Sequence, residues 1–166
     1  MFGLTSLGIV HTAISLVAVG AGVLAFFRYK EIPPGTRAGQ IYIWTTVLTC
    51  LTGFGIFQHG GFGKPHALGI LTLLVLAIAA VAGRTALFGR SSKYVETICY
   101  STTFFFHMIP GFTESLTRLP AGSPVFSSAD DPGLQPVIGV VFVLFLIGVV
   151  LQVLRLRGAG RAAAPA

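Results

Sequence analysis

Four stretches, residues 4–27, 41–57, 67–82 and 137–154, run without a single charged side chain. Each approaches or exceeds the ~20 residues that an α-helix needs to cross ~30 Å of hydrocarbon. A water-soluble fold of 166 residues cannot hide this much apolar surface, and the 54% hydrophobic, 10% charged composition lies well outside the soluble range. The sequence therefore predicts an all-α integral membrane bundle. A fifth crossing, about residues 94–113, is more polar but carries Phe104, Phe105, Phe106, Met108 and Ile109. The expected helices are about 4–27, 41–58, 66–83, 94–113 and 136–155, in one transmembrane domain over residues 1–157. The glycine- and alanine-rich segment 158–166 reads as a disordered cytoplasmic tail.

Charge sets the expected orientation. Arg28, Lys30 and Arg37 follow the first helix, Arg84, Arg90 and Lys93 the third, and Arg155, Arg157 and Arg161 the fifth. The alternate loops hold only Lys64 and Arg118, together with Asp130 and Asp131. The positive-inside rule then puts the N-terminus outside and the C-terminus in the cytoplasm, which requires an odd number of crossings. The net charge of +6 is thus accounted for by topology. It forms no solvent-facing basic stripe, so nucleic acid is not expected as a partner. The first apolar run lacks the basic leading region and the small-residue cleavage site of a signal peptide, and it reads as a retained helix.

The connections are punctuated by helix breakers. EIPPGTRAGQ, residues 31–40, contains a double proline, and HGGFGKPH, residues 59–66, is a glycine-rich turn with Pro65 set to open the next helix. Residues 119–136 are rich in Pro, Ser, Gly and Asp and read as an irregular loop over the outer mouth of the bundle. Cys50 and Cys99 fall inside helices and are expected to be packing residues. Gly20, Gly22, Gly53, Gly55 and Gly69 are expected to let helices approach closely. No P-loop, dinucleotide fingerprint or Ser-His-Asp signature is present.

The chemistry-bearing residues fall on the outer side of this topology. His11 lies about 10 Å into the first helix at ~1.5 Å per residue. His59 closes the second helix, His66 opens the third, and His107 precedes the outer end of the fourth. On that helix Thr103, His107, Glu114 and Arg118 are spaced four, seven and four apart and share a face if it continues past Pro110. An ionisable group within a bilayer costs about 2.5–3.5 kcal/mol on insertion scales, so such a stripe should face protein, water or a ligand. Three functions fit. His11 and His107 would hold a haem b between helices for electron transfer. Alternatively His11, His59, His66, His107 and Glu114 would supply a transition-metal site, with hydrolase or oxidase chemistry at an open position. In the third, these groups catalyse nothing and serve helix packing, a proton relay or contact with a quinone headgroup. The plainer alternatives are a surface ion pair for Glu114 and Arg118, and a cap or interfacial group for His59 and His66. Expected partners are the lipid bilayer, a quinone or redox partner, and a second copy of the chain.

Three segments in order, GTRAGQIYIWTTVLTCLTGFGIF, HGGFGKPHALGILTLLVLAIA and HMIPGFTESLTRLP, give the chain a family likeness over about residues 35–120. It resembles a bacterial family of multi-pass membrane proteins defined by a domain of unknown function (DUF2306-like). Pro65 and His66 at the outer turn and the E-x-x-x-R-L-P element of Glu114, Arg118, Leu119 and Pro120 fit the pattern. The basic HRxxG-like element before the second helix reads TRAGQ, residues 36–40, without its histidine. The resemblance implies a bacterial inner-membrane location and no particular activity.

Overall fold

The computed structural model describes residues 5–57 and 61–162. Five α-helices account for most of them: α1 (Ser6–Tyr29), α2 (Arg37–Gly53), α3 (Lys64–Arg84), α4 (Ser92–Arg118) and α5 (Leu134–Ala162), with a short 3-10 turn at Gly89–Ser91. No strand occurs among the described residues. The local reasons are those the sequence suggests. Thr5 and Thr36 cap α1 and α2, their hydroxyls accepting the Gly8 and Gly39 N–H groups, each at 3.1 Å. Pro65 opens α3 in its first turn. Lys30 ends α1 in the left-handed region at φ 63°, and its ammonium donates back to the Phe27 carbonyl at 3.2 Å.

Several boundaries differ from the sequence expectation. α2 stops at Gly53 instead of near residue 58, because the backbone tightens into a turn in which the Gly55 and Ile56 N–H groups bond back to Thr52 and Gly53. α4 runs on through Pro110 to Arg118, and α5 runs to Ala162, into the segment expected to be disordered. α1, α3 and α5 are long and apolar enough to cross a membrane. α2, at 17 residues, and α4, whose inner face is polar, do not meet the same measure of length and apolarity.

α1 through α4 form a ring in which each helix packs on its neighbours in the chain and α4 closes back on α1; α5 lies outside, against α4. Helix ends alternate. Lys93 at the start of α4 bonds to Glu31 just after α1, and Arg155 near the end of α5 donates to the Tyr29 carbonyl, so these meet at one end of the bundle. At the other end Lys64 pairs with Asp130 at 3.0 Å. There the Asp131 carboxylate accepts the Gly133 and Ser127 N–H groups, which hold it below the usual carboxylate range.

Burial is inverted relative to a soluble protein. The α5 span has a mean hydropathy of 3.0, yet only 6% of it is buried. Leu16, Phe27, Trp44, Leu74 and Leu144 point outward on four different helices. By contrast every fully buried residue of α4 carries a polar atom: Glu96, Thr97, Tyr100, Ser101, Thr103 and His107. An apolar exterior around a polar interior is the arrangement that lipid, and not water, favours. α5 is fixed by the Phe105, Phe142 and Phe145 rings and by Gln152, which accepts from the Ser101 hydroxyl and donates to the Lys30 carbonyl, both at 2.9 Å.

Four of the five helix glycines named from sequence do permit close approach. A Cβ at Gly22 would meet the Phe104 ring at 2.6 Å, one at Gly55 the Leu7 side chain at 2.8 Å, one at Gly69 the Phe54 ring at 2.9 Å, and one at Gly53 the His11 ring at 3.2 Å. Gly20 is the exception, since nothing lies within 4 Å of its missing Cβ. Gly22→Val should therefore lower thermal stability in detergent, by about 1–3 kcal/mol for overpacking. Gly20→Ala should leave the melting temperature unchanged or slightly raised. Equal effects at the two positions would contradict this packing.

Candidate functional site

The interior of the four-helix ring holds a line of buried polar side chains, most of them presented by α2 and α4 and joined in separate hydrogen-bonded pairs. On α2, Tyr42, Thr46 and Thr49 follow helical spacing and are all buried, with Thr52 one turn further along. On α4 the matching face is Glu96, Tyr100, Thr103 and His107. The two faces meet in two buried side-chain contacts: Tyr42 Oη to Thr103 Oγ1 at 2.7 Å and Thr46 Oγ1 to His107 Nε2 at 3.0 Å. Thr103 in turn donates to the Tyr100 carbonyl of its own helix at 2.8 Å, so in the Tyr42 contact the tyrosine hydroxyl is the donor.

His11 joins from α1. Its Nδ1 lies 3.1 Å from Thr52 Oγ1, its ring packs against Gly53, and the Thr49 carbonyl lies against the imidazole. His11 and His107 are close enough to feel one another's charge, and Glu114 reaches His11 in the same way. The two histidines stand on separate helices and are each held by a threonine of α2, His11 by Thr52 and His107 by Thr46. The carboxylate of Glu114 is more than half exposed and forms an ion pair with Arg118 one helical turn on, as the i, i+4 spacing predicts.

The other candidates lie elsewhere. His66 serves as a helix cap: its Nδ1 accepts the Gly63 N–H at 3.3 Å, and its ring lies between Phe57 and Phe62, with centroids at 5.0 and 5.4 Å. Its Nε2 is buried without a partner among the described residues. His59 lies outside the described residues. Among the described residues no three His, Cys, Asp or Glu side chains gather closely enough to hold a metal ion. Cys50 and Cys99 are both free thiols, and Cys50 packs beside Thr72.

The opposite end of the seam carries charges that the histidine pattern did not reveal. Lys93 bridges Glu31 at 3.1 Å and Glu96 at 3.2 Å, and Glu31 also accepts the Thr97 hydroxyl at 2.8 Å. The Glu96 carboxylate lies directly over Gly83, where any Cβ would collide with it. A hollow of about 460 Å³ opens here, bordered by Gly83, Arg84, Lys93 and Glu96. Glu96 stands eleven residues, three helical turns, before His107, so extending the stripe toward the N-terminus was the signal that would have found it.

Hydroxyls and imidazoles both donate and accept. The arrangement can thus hold helices together, orient a buried histidine, or pass a proton along its length. Comparison with protein-family models, with curated proteins and with solved structures finds no match.

If Thr46 and His107 form a direct bond between α2 and α4, a double-mutant cycle of Thr46→Val and His107→Ala should give a coupling of about 0.6–1.7 kcal/mol, the range of side-chain hydrogen bonds inside membrane proteins. Unfolding in mixed micelles measures it. Strictly additive losses would mean that the pair does not interact.

Proposed function

We propose that this chain is a multi-pass protein of the bacterial cytoplasmic membrane, crossing it five times with the N-terminus outside, and that its buried seam relays protons between the two faces. The observation that carries this reading is the inward face of α4, on which all six buried residues are polar or ionisable. Serine and threonine serve packing as well, but Glu96 and His107 are retained against a penalty of about 2.5–3.5 kcal/mol for an ionisable group within a bilayer, more than packing alone requires. The Tyr42–Thr103 and Thr46–His107 pairs occupy the middle of this line. The Glu31–Lys93–Glu96 group stands toward one end, and His11 with Glu114 toward the other.

The orientation rests on charge. Arg28, Lys30, Arg37, Arg84, Arg90, Lys93, Arg155 and Arg157 lie at the end where α1, α3 and α5 finish, against Lys64 and Arg118 at the other. The positive-inside rule makes the first end cytoplasmic. α2, at ~1.5 Å per residue, reaches about 25 Å, near the lower limit for a span, and the apolar turn after it extends the reach. α4 keeps its polar face against the bundle, packs Phe104 on α1 and Phe105 on α5, and exposes Phe112, as a crossing helix with an ionisable stripe can.

The approach of His11 and His107 favours one second reading, a haem b or a transition metal held between α1 and α4. Two imidazoles on facing helices are a suitable axial pair. Each already bonds to a threonine, and neither histidine borders the hollow beside Gly83 or the groove between α1 and α2. This ranks the cofactor below the relay.

Reconstituted into vesicles with a pH-sensitive dye inside, the protein should dissipate an imposed proton gradient. His107→Phe and Thr46→Val should slow this by about a hundredfold, the lower end of the range for removing one proton-transfer group. Wild-type vesicles that leak no faster than empty ones would overturn the relay. An absorption spectrum and elemental analysis of the same preparation decide the second reading: a Soret band or stoichiometric metal, abolished by His11→Ala or His107→Ala, is its expected result. Reporter fusions test the topology, with activity expected in the cytoplasm after residue 161 and outside within the loop at residues 120–132.

A further inference from the structure

We infer that the groove between α1 and α2 at the basic end of the bundle is a binding site for one anionic phospholipid. The groove has a volume of about 570 Å³. Val17, Gly20, Leu24 and Ile41 line its apolar part, and Arg28 and Arg37 stand at its mouth. Three observations define the occupant.

The first is charge. Arg28 and Arg37 are both exposed, and neither has a carboxylate within 4 Å among the described residues. The nearby acidic groups, Glu31 and Glu96, are both engaged by Lys93. Two guanidiniums without a carboxylate partner, bordering the same groove, suit a phosphate, which an arginine can grip with paired donors.

The second is Gly20. The other helix glycines named from sequence are filled by a neighbouring side chain, whereas the space over Gly20 is open and belongs to the groove. Gly111, Gly139 and Gly148 are equally open, so it is the place of Gly20 within a groove bordered by two arginines that matters. The third is length. From Val17 to Arg28 the groove follows α1 for about 16 Å at ~1.5 Å per residue, close to half the ~30 Å hydrocarbon thickness and therefore to one leaflet. A phosphate between the arginines and an acyl chain along Leu24, Gly20 and Val17 match both parts. The inference rests on the membrane placement proposed above, with this end in the cytoplasmic leaflet, where anionic lipids meet basic residues.

The test is native mass spectrometry of the protein released from detergent containing equal phosphatidylglycerol and phosphatidylcholine. Wild type should retain one phosphatidylglycerol in preference to phosphatidylcholine. The double variant Arg28→Gln, Arg37→Gln should lose this preference by about fivefold per arginine, from ~1 kcal/mol per basic residue at the surface. Gly20→Leu keeps both arginines and fills the groove, so it should lose the lipid while its melting temperature without lipid is unchanged. Equal retention of the two lipids, or variants that retain phosphatidylglycerol as wild type does, would overturn the site. Inorganic phosphate that raises the melting temperature as far as phosphatidylglycerol does would overturn the lipid as its source. The reporter fusions separate the failures: if they reject the membrane placement the site falls with it, and if they uphold it, equal retention removes the site alone.

Discussion

A polar group enclosed by apolar surroundings must find a partner or pay the full penalty of desolvation, and this requirement organises the whole bundle. α4 buries two titratable groups, Glu96 and His107, along with four further polar side chains. Each needs something from another helix. Tyr42 and Thr46 of α2 answer Thr103 and His107, the Gly83 surface of α3 receives Glu96, Glu31 after α1 answers Thr97, and Gln152 of α5 answers Ser101. The helices are thereby keyed to one another in register and rotation. Apolar packing alone would not do this where the exterior is as greasy as any helix face.

The glycines and the polar seam work together. Gly22 lets Phe104 and Tyr42 close on α1, which brings α2 and α4 near enough for their hydroxyls to meet. Gly53 receives the His11 ring, and Gly83 receives the Glu96 carboxylate. Short contacts at small residues and directional bonds between larger ones thus fix the same geometry. α5 adds little to this interior. It lies outside the ring, tied through Gln152 and Arg155 to the carbonyls that end α1, where the helix dipole favours a cation.

The ends of the bundle are chemically unlike. One gathers eight arginines and lysines, of which Lys93 neutralises the buried carboxylates and Arg28 and Arg37 are left to face outward. The other carries a few exposed pairs, Lys64 with Asp130 and Glu114 with Arg118, and a loop ordered around Asp131. A proton path and a lipid site, as proposed here, would both draw on this difference. The path would run from the engaged carboxylates through the centre, and the lipid would sit on the outer face of α1 and α2.

Much of the fold was legible in the sequence because it depends on composition over long windows. The number of helices, the antiparallel turns at Pro33–Pro34 and Gly63–Pro65 and the i, i+4 pair of Glu114 with Arg118 follow from hydropathy, helix breakers and helical spacing. What failed was reading by residue type. His66 stood among the metal candidates yet bonds its own helix terminus, and Gly20 resembled its neighbours until the space above it was known. Thr46, Tyr42, Glu96 and Gln152 drew no notice, since a threonine or tyrosine inside an apolar run reads as a tolerated polar residue until its partner is seen. Periodicity assigns a residue to a face of its own helix. Which face meets which depends on the rotation of every helix at once, and that is set by side chains distant in sequence, which only the tertiary structure brings together.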